Sequence, residues 1–133
     1  MILQVTVREG KAPVTVSDAS ELDRVLQAAS EEARAHKMMG AVLIKAESGN
    51  VITMVVGGEE TVLSFDSGHL NPPYYASRGT SDCDEPKLTC FAQFQHHSEF
   101  SRKYVIPLED GLRAVRQFLC SGDLPTCIKW DEV

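Results

Sequence analysis

Residues 41–65 constrain the fold more than any other stretch of this chain. Three β-rich runs, 41–46, 51–56 and 60–65, follow one another through very short connections. Glu47, Ser48, Gly49 and Asn50 supply turn chemistry at the first junction, and Gly57 and Gly58 open the second. Parallel neighbours need a crossover of a dozen residues or more, so these strands run antiparallel. Residues 51–56 are apolar on both faces, which marks that strand as central in its sheet. A loop over 66–73 leads to a fourth strand at 74–77. A polar loop over 79–86 then leads to a strand at 87–94, with Leu88, Cys90, Ala92 and Phe94 on one face. Residues 96–102 read as a loop. A short alternating strand at 3–7 opens the chain, and residues 10–13 break it.

Two helices flank this run of strands. Ser17 or Ser20 caps the first, which reaches about Ala35, with Leu22, Val25, Leu26, Ala29 and Ala33 as its apolar face. Glu21 and Asp23 in its first turn suit the positive end of the helix dipole. In the second, Pro107 fits the first helical position, where its missing N–H costs nothing. Leu108, Leu112, Val115 and Leu119 follow at helical spacing, and Glu109 precedes Arg113 by one turn, a favourable ion-pair order. Gly122 ends that helix in the left-handed region and Pro125 prevents a restart. A short strand with Ile128 and Trp130 closes the chain. The order predicts an α+β fold in one domain over 1–133: an antiparallel sheet of six to seven strands with both helices on one face.

The formal charge is −6. Residues 1–66 carry six basic and ten acidic residues, and residues 67–133 carry seven and nine, so the acidity is spread along the chain. Direct nucleic-acid binding is disfavoured, because phosphate contacts need a basic footprint. An acidic surface suits a basic protein partner, or serves solubility alone. The start, Met1 to Val5, lacks a basic flank and a long apolar run, and no stretch approaches a membrane span. A cytoplasmic protein without membrane contact is expected, with Cys83, Cys90, Cys120 and Cys127 as reduced thiols.

No constellation for catalysis stands out. Both cysteine pairs, Cys83–Cys90 and Cys120–Cys127, enclose six residues, wider than the two to four usual in structural zinc sites. His96 and His97 are adjacent and lack the one-turn spacing of a metalloprotease pair. Gly57–Gly58 precedes a strand, so it reads as a hairpin turn and not as a phosphate loop. No cofactor and no metal are expected. Tyr74, Tyr75 and Arg78 beside the loop acids Asp82, Asp84 and Glu85 are residue types that anchor and steer protein interfaces. The bland alternative packs one tyrosine in the core and leaves the acids to solvate a turn. Asp66 and His69 in the preceding loop, and Asp131 and Glu132 after Trp130, complete the candidate partner-binding set. Trp130 itself reads as a core anchor.

The succession Ile106–Pro107, amphipathic helix, Gly122, Pro125, then Trp130 with two acids resembles immunity protein family one of bacterial polymorphic toxin systems. Tyr75, Ala76, Ser77, Arg78 and Gly79 match its tyrosine–small–serine–arginine–glycine strand. The resemblance covers roughly residues 40–133 and implies a non-enzymatic α+β protein that neutralises a cognate toxin, often a nucleic-acid deaminase. Two other readings of the residues stay open. One is a small thiol-dependent hydrolase using Cys83 or Cys90 with a histidine such as His69 or His97. The other is a homodimeric ligand-binding module that buries the second, partly apolar face of the sheet.

Overall fold

A computed structural model describes residues 2–8, 10–68, 72–92 and 96–133. In chain order the elements are β1 (Leu3–Thr6), β2 (Val14–Val16), α1 (Ala19–Ala35), β3 (Gly40–Ala46), β4 (Val51–Val56), β5 (Glu60–Thr61), β6 (Leu63–Asp66), β7 (Tyr75–Ser77), β8 (Leu88–Ala92), β9 (His96–Phe100), β10 (Ile106–Pro107), α2 (Leu108–Ser121) and β11 (Trp130–Glu132). A short 3-10 turn, Arg102–Tyr104, precedes β10.

The meander is antiparallel as its short turns require: β3 pairs with β4, β4 with β6, and β6 with β7. Among the described residues the main sheet has nine strands. Its principal path runs β11-β7-β6-β4-β3-β1-β2, and β8 lies beside β3 and carries β9. The β3–β8 contact, Gly40 opposite Phe91, is parallel. Alternation decides which side chains are core. Val42, Ile44 and Ala46 of β3 point to the same face as Leu3, Val5, Ile52, Met54, Leu63 and Phe65. Both helices cover that face, with Leu22, Leu26 and Ala29 from α1 and Ala114, Val115, Phe118 and Leu119 from α2. Arg116 of α2 and Asp23 of α1 pair across the helices at 3.1 Å.

Among the described residues, a second buried cluster covers one end of the opposite face. There Ala41 and Val55 pack with Val62, Leu88, Cys90 and Val105 into a second, smaller cluster. The apolar character of β4 on both faces thus has a structural cause: Ile52, Met54 and Val56 serve one cluster and Val55 the other.

Several expectations are corrected. Asp18, and neither Ser17 nor Ser20, caps α1: its carboxylate accepts from Glu21 N at 2.8 Å, while Ser17 Oγ donates to Glu21 Oε1 at 2.7 Å. Pro107 precedes the first turn of α2, still extended and paired with Glu60. Arg113 pairs with Asp110 at 2.5 Å, so the ion pair spans three residues and involves Asp110 instead of Glu109. Leu112 is half-buried at the margin of the core. The buried face of α2 is Gly111, Ala114, Val115, Phe118 and Leu119. Residues 96–100 form β9 instead of a loop, because their backbone pairs with β8 from Leu88↔Phe100 to Ala92↔His96. β2, absent from the expectation, pairs with β1 as an edge strand. Asp66 still belongs to β6, opposite Val51. The run 60–65 breaks at Val62, where buried Thr61 turns its hydroxyl onto Val55 O at 2.7 Å. Phe94 lies outside the described residues, as does His69.

Candidate functional site

Among the described residues, the register sets a surface on the helix-free side that neither core cluster includes. One row crosses the sheet as Gln4, Lys45, Val51 and Asp66. The next row runs Thr6, Leu43, Thr53, Ser64, Ala76 and Asp131. Leu43, Val51, Thr53, Ser64 and Asp66 are half-buried, while Gln4 and Lys45 are exposed. An apolar and small-residue centre with a polar rim is the usual build of a protein interface. Sequence reading singled out Asp66 and Asp131 from this surface but missed Leu43, Thr53 and Lys45. The available signal was the alternation of Leu43 and Lys45 with the core residues of β3.

The segment 74–79 forms one corner of this face. Tyr75 is the tyrosine that packs inward: its ring lies 6.4 Å from Phe65, which in turn meets Trp130 at 6.3 Å and Phe118 at 6.2 Å. Trp130 is the expected anchor, and its Nε1 donates to Pro125 O at 2.7 Å. Tyr74 is half-buried one residue before β7, and its carbonyl accepts from Val133 N at 2.8 Å, so the β7–β11 pairing continues past the strands. Ser77 is fully buried. Its hydroxyl donates to Tyr104 O at 2.7 Å and accepts from Leu63 N at 3.0 Å. Gly79 N donates to Lys103 O at 2.7 Å, and a Cβ there would lie 2.1 Å from Val105 O. The serine and the glycine of the motif are thus structural, tying β7 to the 101–105 strap. Arg78 between them points the other way. Its Nη2 donates to Asp82 Oδ1 at 2.8 Å, and its Nη1 lies 3.7 Å from Asp131 Oδ2.

The structure therefore brings Arg78, Asp82 and Asp131 together beside the helix-free face, with Asp66 and Tyr74 on neighbouring rungs. Glu132 is exposed opposite Tyr75. Asp84 and Glu85 are exposed on a different flank of the loop. Asp84 accepts from Ser101 Oγ at 2.7 Å and lies 3.8 Å from Lys103 Nζ. The Ser101 hydrogen bond first, then the Lys103 charge, hold its carboxyl below the usual carboxylate range. Arg102 adds bonds to Pro86 O at 2.8 Å and Glu60 Oε1 at 2.9 Å. The loop acids are interleaved with cations, so they do not form a uniform acidic patch. Asp66 differs. Its carboxylate has no hydrogen bond or ion pair among the described residues, and burial pushes its carboxyl up. A raised folded-state value means that ionised Asp66 costs stability at neutral pH. That cost is relieved as pH falls through the folded value and is gone below the unfolded one.

Chemistry at the thiols finds little support. Cys90 is fully buried, and burial pushes its thiol up to about 11, opposite to the lowered value an attacking thiol needs. His97 meets Phe91 edge-on at 5.5 Å and lies 3.8 Å from Glu99. Cys83, Cys120 and Cys127 are exposed. Maleimide labelling of the folded chain is expected to modify these three and to reach Cys90 only after denaturation. Mass spectrometry of the labelled protein checks this, and rapid labelling of Cys90 in the native state would refute its burial. Among the described residues, no group of three or more histidine, cysteine or carboxylate side chains is arranged to hold a metal. No described helix is long and apolar enough to cross a membrane.

Compared with known families, residues 10–132 match the family model "Immunity protein Imm1". The chain belongs to the Imm1 immunity-protein family. The match reaches further toward the N-terminus than the resemblance from residue 40 onward, and it takes in β2 and all of α1. No curated protein matches the chain. Membership makes the partner of this Imm1 protein a cognate toxin protein.

Proposed function

We propose that this immunity protein neutralises a nucleic-acid deaminase toxin by occlusion, acting in the cytoplasm and without chemistry of its own. Its helix-free sheet face covers the toxin's active site or substrate groove and excludes the nucleic acid. The observation that carries this reading is a wide sheet surface with an apolar centre and a charged rim, in a chain of the Imm1 family. Tyr74, Arg78, Asp82 and Asp131 would contact the toxin beside Asp66, while Asp84, Glu85 and Glu132 stand off this face and would serve only as peripheral contacts. Tyr75 stays with the core. The deaminase assignment rests on the resemblance of the 75–79 strand and the closing segment to immunity partners of such toxins. A base deaminase carries its own catalytic zinc, so the inhibitor needs none.

The test uses the purified chain and the toxin domain encoded in the neighbouring reading frame. Equimolar chain is expected to form a stable complex on sizing and to abolish base deamination of a nucleic-acid substrate. Raised substrate concentration is expected to weaken the inhibition. A chain that elutes as a stable homodimer and leaves deamination unchanged would overturn the proposal and favour the dimeric module.

A further inference from the structure

We infer that Asp66 is the recognition carboxylate of this face, receiving a lysine or arginine side chain of the bound toxin. The inference rests on the proposed docking face and names the chemistry at one point of it. Asp66 ends β6 on the helix-free side, directly opposite Val51, with Ser64 two residues before it on the same face. It is already half-buried without any partner covering it, yet nothing in the described structure pairs with its carboxylate. The nearby cations are committed or distant. Arg78 is held between Asp82 and Asp131. Lys45 lies in the same row but on the far side of Val51, two strand spacings or about 10 Å away.

A protein laid on Leu43, Val51 and Thr53 would strip the remaining water from Asp66. A carboxylate desolvated without compensation is strongly unfavourable, so a partner that binds here gains most by bringing a cation. The chain's net charge of −6 favours the approach of such a partner. Burial already pushes this carboxyl up in the free protein, a folding cost that a cation brought by the partner would offset.

The experiment measures toxin-domain binding and thermal midpoint for Asp66→Asn, Asp66→Ser and, as a control for the face, Leu43→Arg. Both Asp66 variants are expected to keep or raise the thermal midpoint. They are also expected to weaken toxin binding about tenfold or more, mainly through faster dissociation, with a shallower salt dependence. Double-mutant cycles against single lysine or arginine replacements in the toxin domain are expected to single out one coupled cation. Leu43→Arg, which sets a charge in the middle of the face, is expected to abolish binding. If Leu43→Arg abolishes binding and both Asp66 variants bind as wild type, the face docks but the inference about Asp66 is wrong. If Leu43→Arg binds normally, the docking face itself is wrong. An Asp66 variant with a lowered midpoint would make the residue structural and overturn the inference.

Discussion

Phe118→Ala is expected to be the most destabilising single truncation in α2. Phe118 is among the largest fully buried side chains, at 0% exposure. Its ring stands edge-on to Phe65 at 6.2 Å and 85°, and Phe65 in turn holds Tyr75 and Trp130. Truncating a buried phenylalanine costs about 3–5 kcal/mol, through lost transfer energy and the cavity left behind. A domain of this size has a total stability of about 5–15 kcal/mol, so the loss is a large fraction of it. The effect should spread along the aromatic chain to β7 and β11 and loosen the pairing at the candidate site. Denaturant unfolding measures the stability, and hydrogen exchange at Val133 N, bonded to Tyr74 O, reads the spread. Leu112→Ala, at a half-buried position between the helices, should cost clearly less. A wild-type midpoint for Phe118→Ala would mean that α2 is docked on a different face.

Gly79→Ala is expected to cost about 3 kcal/mol or more, near the upper end for overpacking, because the obstacle is backbone and cannot rotate away. The added methyl would meet Val105 O at 2.1 Å and Lys103 O at 3.2 Å. Relief requires moving the 101–105 strap, which also carries the Tyr104 carbonyl bonded to Ser77 and the Val105 side chain of the second cluster. Buried Ser77 and Leu63 N would then lose part of their hydrogen bonding, a further penalty of about 1–3 kcal/mol per group left unsatisfied. The measurement is the denaturation midpoint together with protection of the Leu63 amide. An unchanged midpoint with full protection would show that the strap yields freely and that glycine is not required there.

What the sequence made legible was local. The meander at β3, β4 and β6 followed from turn residues and apolar runs, and the left-handed stop at Gly122 followed from one glycine, found at φ 71°. β2 was hidden because three residues are too few to display a period. β9 was hidden because it pairs only with β8 and lies largely exposed, so its residues, His96, His97, Ser98, Glu99 and Phe100, show no apolar alternation. The face of α2 was misread by a fraction of a turn. The expected stripe 108, 112, 115 and 119 and the buried face 111, 114, 115, 118 and 119 share Val115 and Leu119, and docking against the sheet rotates the rest by a fraction of a turn. At the site, the exposure of Asp82, Asp84 and Glu85 was legible from their polar setting. Their partners were not, since Ser101 and Lys103 reach Asp84 from 17 and 19 positions away and Asp131 reaches Arg78 from 53. The helix-free face itself was invisible until register showed which residues stand side by side.

The alternation in β3 and β4 bears on how such a protein can change partners. In β3, Leu43 and Lys45 stand outward between Val42, Ile44 and Ala46, which stand inward. In β4, Val51 and Thr53 alternate with Ile52 and Met54 in the same way. Point substitutions at these outward positions would change the proposed docking surface while leaving the inward core residues Val42, Ile44, Ile52 and Met54 in place. Loss or gain of a single residue within either strand would exchange the two sets, burying Lys45 and exposing Ile44. Substitution at the outward positions is therefore the route by which the proposed face could change specificity without shifting the register of the core.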